Sequence, residues 1–423
     1  MNREMKNTGI PYIGTIPSEW KIIPIKAQYM FYTGFTPPSG QDEYYDPDGE
    51  TWITIADMKK DVTAESEKHI TKSYAEQKGK KIPMGSLLYS FKLSVGKTSV
   101  LGCDAYTNEA IAAFPSDKNP CIEYLRYSSM FIEGNANENI YGAKILNQQL
   151  INNAPVPYPP ISEQRAIASY LDTKCSAIDE AIERHKKIIE KLEEYRKNNI
   201  TRLATKGFGY TTMKDSGYDW YGHIPSDWEL KRFKYIAKVM SNLVDPEPYM
   251  DLPQVGPDII EKDSGRLVGE RTVEESGIIS GNHLFYKGQL LYSKVRPALN
   301  KVVTAPFTGL CSADMYPIEA EINSEYLKWL MLSKPFTEQT RIIASIRVKM
   351  PKINQDELGN VMCVVPPMEE QEKIALAIQE MCDKVQTSID KHNDVIHKLD
   401  EYRKSIIYNA VTGKIDCRTE AVE

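Results

Sequence analysis

The sequence predicts an α+β protein built from two similar lobes, each followed by a long helix of coiled-coil type. Three observations carry that expectation. The chain repeats itself once, the end of each repeat has a seven-residue apolar period, and the stretches between read as short strands broken by turn residues.

The repeat is visible in two blocks. GIPYIGTIPSEW from Gly9 returns as GYDWYGHIPSDW from Gly217, and PPISEQRAIASYLDTKC from Pro159 returns as PPMEEQEKIALAIQEMC from Pro366. Within the second block Glu163, Gln164, His185, Leu192 and Glu194 to Lys197 reappear as Glu370, Gln371, His392, Leu399 and Glu401 to Lys404. The same order and nearly the same separation in both blocks exclude coincidence. Between the blocks only GSLLYS from Gly85 and GQLLYS from Gly288 still answer each other, so constant ends surround divergent middles.

From Ser162 to about Leu203 there is no Pro or Gly. A heptad template puts Leu171, Ile178, His185 and Leu192 at one core position and Cys175, Ile182, Ile189 and Leu203 at the other, with Arg196 as an exception. The second copy supplies Ile378, Val385, His392, Leu399 and Ile406, then Cys382, Ile389, Ile396 and Ala410. Forty residues of helix make a rod of about 60 Å, longer than a globular core needs for itself. The middles contain TWITIA, SLLYSF, QLLYSKV and NKVVTA, which read as short strands, and YLRYSSMFI and YLKWLMLSK, which read as short helices. The expected boundaries are a lobe over 1–158, a helix over 159–207, a second lobe over 208–365 and a second helix over 366–415. The first helix ends in ATKG where the second ends in VTGK, so its end is less sharply marked.

With 423 residues, 41% hydrophobic and 26% charged, the chain has the composition of a globular protein of two or three units. No apolar run approaches a membrane span and the N-terminus lacks a secretory stretch, so a cytoplasmic protein with no membrane partner is expected. The seven cysteines are scattered and never spaced CxxC, which suits reduced, mostly buried thiols better than zinc or disulfides.

A formal charge of -6 opposes nucleic-acid binding unless basic surface is concentrated locally. It is concentrated. Gln77 to Cys103 contains no acid and carries Lys78, Lys80, Lys81, Lys92 and Lys97; Ser276 to Ala313 contains none and carries Lys287, Lys294, Arg296 and Lys301. Both stretches overlap the LLYS repeat. A third run, Lys328 to Lys352, adds Lys334, Arg341, Arg347 and Lys349 against Glu338 alone. Phosphate contact is the reading that recurrence in both copies favours, and a solvated face without a partner is the alternative. Two lobes related by a pseudo-twofold can meet groove faces about 34 Å apart, which implies a split target. The DNA-contact candidates are Lys81, Lys92, Lys97, Lys144, Lys294, Arg296, Lys301, Arg347 and Lys349.

Signals for catalysis are weak. GKTS at Gly96 ends like a phosphate-binding loop but has Phe91 where that loop needs glycine. Pro47-Asp48 with Asp57-Met58-Lys59 or Glu76-Gln77-Lys78 can be forced into a nuclease pattern that the second copy does not repeat. His185 and His392, at one heptad position, would fix helix register or, alternatively, share a metal. No catalytic and no metal-ligating residue is assigned.

Taken together, IPSEW and IPSDW opening each lobe, PPISEQ and PPMEEQ closing it, and helices ending in EYRK followed by ATKG or VTGK resemble the specificity subunits of type I restriction-modification enzymes. The resemblance covers essentially the whole chain. It implies two pseudo-symmetric target-recognition domains, each reading half of a bipartite double-stranded DNA site, separated by two long helices packed antiparallel. It also implies no catalysis and no cofactor in this chain, with S-adenosylmethionine, ATP and Mg used by modification subunits, two of them, and by restriction subunits. Partner docking would use the helices, with Glu163, Gln164, Tyr195, Arg196, Glu370, Gln371, Tyr402 and Arg403 as candidates. The competing readings are a coiled-coil adaptor whose lobes bind protein, and an enzyme fused to recognition domains.

Overall fold

The computed structural model describes residues 3–418 except 39, 60, 93, 139–141, 143, 210–211 and 348. The chain divides into two compact units, one of Met1–Glu183 with Ile396–Glu423 and the other of Arg184–Val395. Each unit therefore holds one lobe together with a segment from each of the long helices, Ile161–Lys206 and Met368–Val411.

In the first unit a five-stranded sheet runs in the order Tyr32–Thr33, Ile111–Phe114, Leu87–Ser90, Thr98–Leu101, Val62–Thr63. The two central strands, Leu87–Ser90 and Ile111–Phe114, are buried along their whole length on both sides, so neither carries a polar face. Leu87, Tyr89 and Phe114 join Trp20, Tyr124 and Leu171 in the main core, while Leu88, Ile111 and Ala113 face a smaller cluster with Ile53 and Leu101.

The second unit repeats the arrangement. Leu290–Ser293 lies between Met315–Ala320 and Val302–Thr304, with Leu290 and Tyr292 in the main core and Leu291 in the smaller one. The helices expected from YLRYSSMFI and YLKWLMLSK form, over Ile122–Ser128 and Ser324–Leu332. Each places a fully buried tyrosine hydroxyl on the strand that closes the lobe, Tyr124 on Pro157 O at 2.9 Å and Tyr326 on Val364 O at 3.0 Å.

The constant sequence blocks are the lobe-to-helix joint. Lys21–Pro24 pairs antiparallel with Pro155–Tyr158, and Glu229–Arg232 pairs with Met362–Val365 in the matching register. Trp20 Nε1 donates to Glu163 Oε2 at 3.0 Å and Trp228 Nε1 donates to Glu370 Oε2 at 3.0 Å. Gln164 and Gln371 donate through Nε2 to Pro159 O and Pro366 O, at 2.9 and 2.8 Å. These glutamines turn back on the first turn of their own helix, where the chain arrives through two prolines.

The long helices contain 46 and 44 residues, so each is about 65 to 70 Å long. Within the second unit His185 meets His392 and Arg196 meets Gln386, and within the first Asp179 meets Arg403. Rising numbers on one helix meet falling numbers on the other, which is antiparallel packing. Ile178, Ile182, Ile378, Cys382, Val385 and Ile389 are buried as the heptad requires. Arg196, the expected exception, is also buried, with Nη1 donating to Gln386 Oε1 at 3.1 Å.

His185 and His392 touch through their Nδ1 atoms at 2.6 Å. One ring must donate and the other accept, a pairing that a shift of register would break. Among the described residues no group of three His, Cys, Asp or Glu could hold a metal. The helix ends follow the glycines: Gly207, in the left-handed region, ends the first helix at Lys206, and Gly413 stands one place earlier in its repeat and ends the second at Val411.

Among the described residues no disulfide joins any of the seven cysteines, and burial pushes the Cys382 and Cys311 thiols up to about 11 and about 12. Among the described residues no helix is long and apolar enough to cross a membrane.

Candidate nucleic-acid interface

The two acid-free stretches form the same hairpin in each unit. Leu87, Leu88 and Tyr89 pair with Val100, Ser99 and Thr98; Leu290, Leu291 and Tyr292 pair with Thr304, Val303 and Val302. The loops close alike. Ser90 N donates to Lys97 O at 2.8 Å and Ser293 N donates to Lys301 O at 3.0 Å, while the serine hydroxyls reach Lys92 O and Val295 O. Lys97 and Lys301 are therefore structural equivalents. The GKTS segment lies in this strand-to-strand loop, with no helix following it, so it does not form a phosphate-binding loop.

The first unit brings Gly96, next to Lys97 in the chain, and the Lys144 side chain to the same acid, Glu133. A Cβ on Gly96 would stand 2.8 Å from Glu133 Oε2, and Lys144 Nζ lies 2.8 Å from Glu133 Oε1. Lys92 is exposed on the same loop. Lys81 belongs elsewhere: its ammonium is 2.5 Å from Glu50 Oε2, a hydrogen bond that raises its pKa. The stretch without acids in sequence is thus partly neutralised by an acid from a distant strand.

In the second unit two runs that are separate in sequence become neighbours. Val295 and Lys352 form an antiparallel bridge, Arg296 N donates to Pro351 O at 2.7 Å and Ile353 N donates to Lys294 O at 2.9 Å. Lys294, Arg296 and Lys349 accordingly share one edge. Their surroundings differ. Lys294 Nζ sits 4.9 Å from the centre of the Tyr316 ring, and Lys301 Nζ donates to Pro257 O at 2.5 Å. Arg347 is a clamp, with Nη2 2.8 Å from Glu357 Oε1 and Nη1 donating to Lys352 O at 2.8 Å. That pairing holds the Glu357 carboxyl below its ordinary range.

The run Lys328 to Lys352 is not one patch. Lys328 is buried against Trp329 and bonded to Glu325 Oε2 at 2.5 Å, and Arg341 pairs with Glu338. A nuclease-like role for Asp57 is also removed, because Oδ2 accepts from Thr54 N and Oγ1 and from Ser66 Oγ in a local turn.

The partner-docking candidates separate cleanly. Glu163, Gln164, Arg196 and Gln371 are buried, Glu370 holds Trp228, and Arg403 holds Asp179. Their repetition in sequence reflects the joint and the helix seam, so the buried four, Glu163, Gln164, Arg196 and Gln371, are corrected from surface contacts to internal fastenings, while Glu370 and Arg403 are part-exposed. Tyr195 and Tyr402 are exposed at 53% and 54%. One heptad before Tyr195 stands exposed Ile188, which sequence reasoning missed because it lies outside the two seam positions.

Comparison with known proteins agrees with this architecture. A family model described as type I restriction modification DNA specificity domain matches residues 17–194. The chain is 30% identical over 287 residues to the type I restriction enzyme EcoDI specificity subunit of Escherichia coli, a match spanning 64% of each protein. It is 25% identical over 413 residues, 90% of each protein, to the type I restriction enzyme MjaIX specificity subunit of Methanocaldococcus jannaschii. A solved structure described as "Structural basis underlying complex assembly and conformational transition of the type I R-M system" contains a chain of the same fold. Its TM-score is 0.69 at 13% identity, covering 95% of this chain and 99% of that one. With a specificity-domain match running from Pro17 into the first long helix, and a lobe and helix that occur twice, the chain is similar in sequence and fold to the type I restriction-modification specificity subunits.

Proposed function

We propose that this chain is the DNA-reading, non-catalytic subunit of a type I restriction-modification complex, each lobe gripping one half of a bipartite double-stranded site. The observation that carries the reading is the hairpin present in both units in one register, with Lys97 and Lys301 at the equivalent place. A basic loop kept in two otherwise divergent lobes is what duplicated phosphate contact requires.

The long helices supply the docking faces. Exposed Ile188 and Tyr195 on the first helix, and Tyr402 on the second, offer apolar and aromatic anchors of the kind that dominate protein interfaces. Because Tyr195 and Tyr402 are repeat equivalents, two modification subunits are the expected complement, with restriction subunits added to them. S-adenosylmethionine, ATP and Mg belong to those partners, and the complex acts in the cytoplasm.

The test is a gel-shift series with duplex DNA and the modification subunit present, run across salt concentrations. DNA affinity should fall steeply with salt. A partner bound with no response to salt, and no DNA affinity, would instead mark a coiled-coil adaptor. Exchange of residues 1–155 for another such lobe should alter one half of the methylated motif and leave the other half unchanged.

A further inference from the structure

Arg296 stands apart from the other basic groups of the second unit. Its backbone is in the left-handed region, φ 50 and ψ 60, immediately before Pro297. A non-glycine residue in that region is strained, and a following proline restricts it further. Such a conformation persists only where the surroundings fix it, and here they do so from every side. Arg296 N donates to Pro351 O at 2.7 Å, Leu299 N donates to Arg296 O at 2.9 Å, and Ser293 Oγ holds Val295 O at 3.0 Å. Asn300, also left-handed, closes the loop from within: buried, it donates through Nδ2 to Asp263 Oδ1 at 2.9 Å and to Leu332 O at 3.0 Å.

The result is a rigid loop with a free head. The Arg296 side chain is exposed and has no acceptor among the described residues, whereas Arg347, Arg341 and Arg271 of the same unit are paired with Glu357, Glu338 and Asp258. Beside it are exposed Leu299, on the same loop, and Met350, on the segment that bonds the loop. A phosphate contact needs only a charge on a flexible stem, which Lys349 provides. A base edge needs a planar fork held at a fixed place, and apolar neighbours keep competing water away.

We infer that Arg296 reads a guanine in the half-site gripped by the second lobe, its guanidinium donating to O6 and N7 in the major groove. The inference rests on the proposed DNA-reading role. Lys294 and Lys301, tied to Tyr316 and to Pro257 O, hold the loop and supply positive charge without choosing a base.

The full chain, co-expressed with the modification subunit, is challenged with duplexes randomised across both half-sites, as wild type, Arg296→Lys and Arg296→Gly. Wild type should select one guanine that Arg296→Lys no longer prefers. Discrimination at that position should drop about 5- to 150-fold, with the remaining positions and the salt dependence unchanged. Arg296→Gly should lose the same preference and unfold no earlier than wild type, because glycine accepts the left-handed backbone without strain. Two results overturn the assignment: full selectivity in Arg296→Lys, or an equal loss over all sequences in Arg296→Gly with a salt slope shallower by about one, the mark of a phosphate contact. A wild-type complex that selects no sequence refutes the DNA-reading role itself, a different failure from a selective wild type with unaltered variants.

Discussion

Glu163 and Glu370 occupy the same place in the two repeats, and each accepts the indole N–H of a buried tryptophan at 3.0 Å. Their remaining surroundings are opposite. Glu163 receives Arg3 through Nη1 at 2.5 Å and Nη2 at 2.9 Å, with Arg418 at 4.0 Å. Glu370 Oε1 has no hydrogen-bond partner among the described residues, and burial raises its pKa, only partly offset by Lys373. Substitution by glutamine keeps an acceptor for the tryptophan in both cases and removes the charge.

At Glu163 the loss strips a charge-assisted pair from an arginine whose side chain is 12% exposed, leaving it Glu19. The cost should be about 1 to 3 kcal/mol, below the value for an arginine left wholly unpaired. For a unit of this size that is a fall in melting temperature of about 3 to 10 °C. At Glu370 the same change should be neutral within about 0.5 kcal/mol or stabilising at pH 7, because an ionised, desolvated carboxylate disappears.

The sign also follows from linkage. A carboxyl whose folded pKa lies above its unfolded value binds its proton more readily when folded, so stability rises as pH falls into that window and declines above it. Glu370→Gln should flatten that slope. Calorimetric unfolding of wild type and both variants at pH 7 and pH 5 measures all of this, and equal destabilisation by the two substitutions would refute the reasoning.

Other outcomes are expected. Glu357, lowered by Arg347, stabilises the Asn354 turn above the ordinary carboxylate range, and this contribution is lost as pH falls below about 4.5; acid titration of wild type against Arg347→Met should show the acid-side loss only in wild type. Lys97→Ala should weaken binding to all duplexes and reduce the salt slope by about one while assembly with the modification subunit, read by size-exclusion chromatography, is retained. Tyr195→Ala and Tyr402→Ala should leave the melting temperature within about 2 °C and weaken that assembly, since both rings are exposed in the chain itself. Replacing His185 and His392 together by leucine should raise thermal stability and loosen helix register, seen as mixed cross-links between cysteines placed along the seam.

The sequence by itself determined the parts whose signal is local and periodic. The duplication, the heptads of both long helices, the LLYS strands and the two short helices were all legible, because helix and strand periods are written in consecutive residues. So was the basic character of the two hairpin loops. What only the tertiary structure decided is which charges remain available. Lys81 meets Glu50, Lys144 meets Glu133 and Arg347 is claimed by Glu357; none of these partners is predictable from local charge, because the chain brings them from other elements. The same holds for Glu163, Gln164 and Gln371. Their recurrence marks residues that matter, but whether a recurring polar side chain faces a partner or fastens the interior depends on burial, and burial is fixed only when the Trp20 and Trp228 cores close over the helix starts.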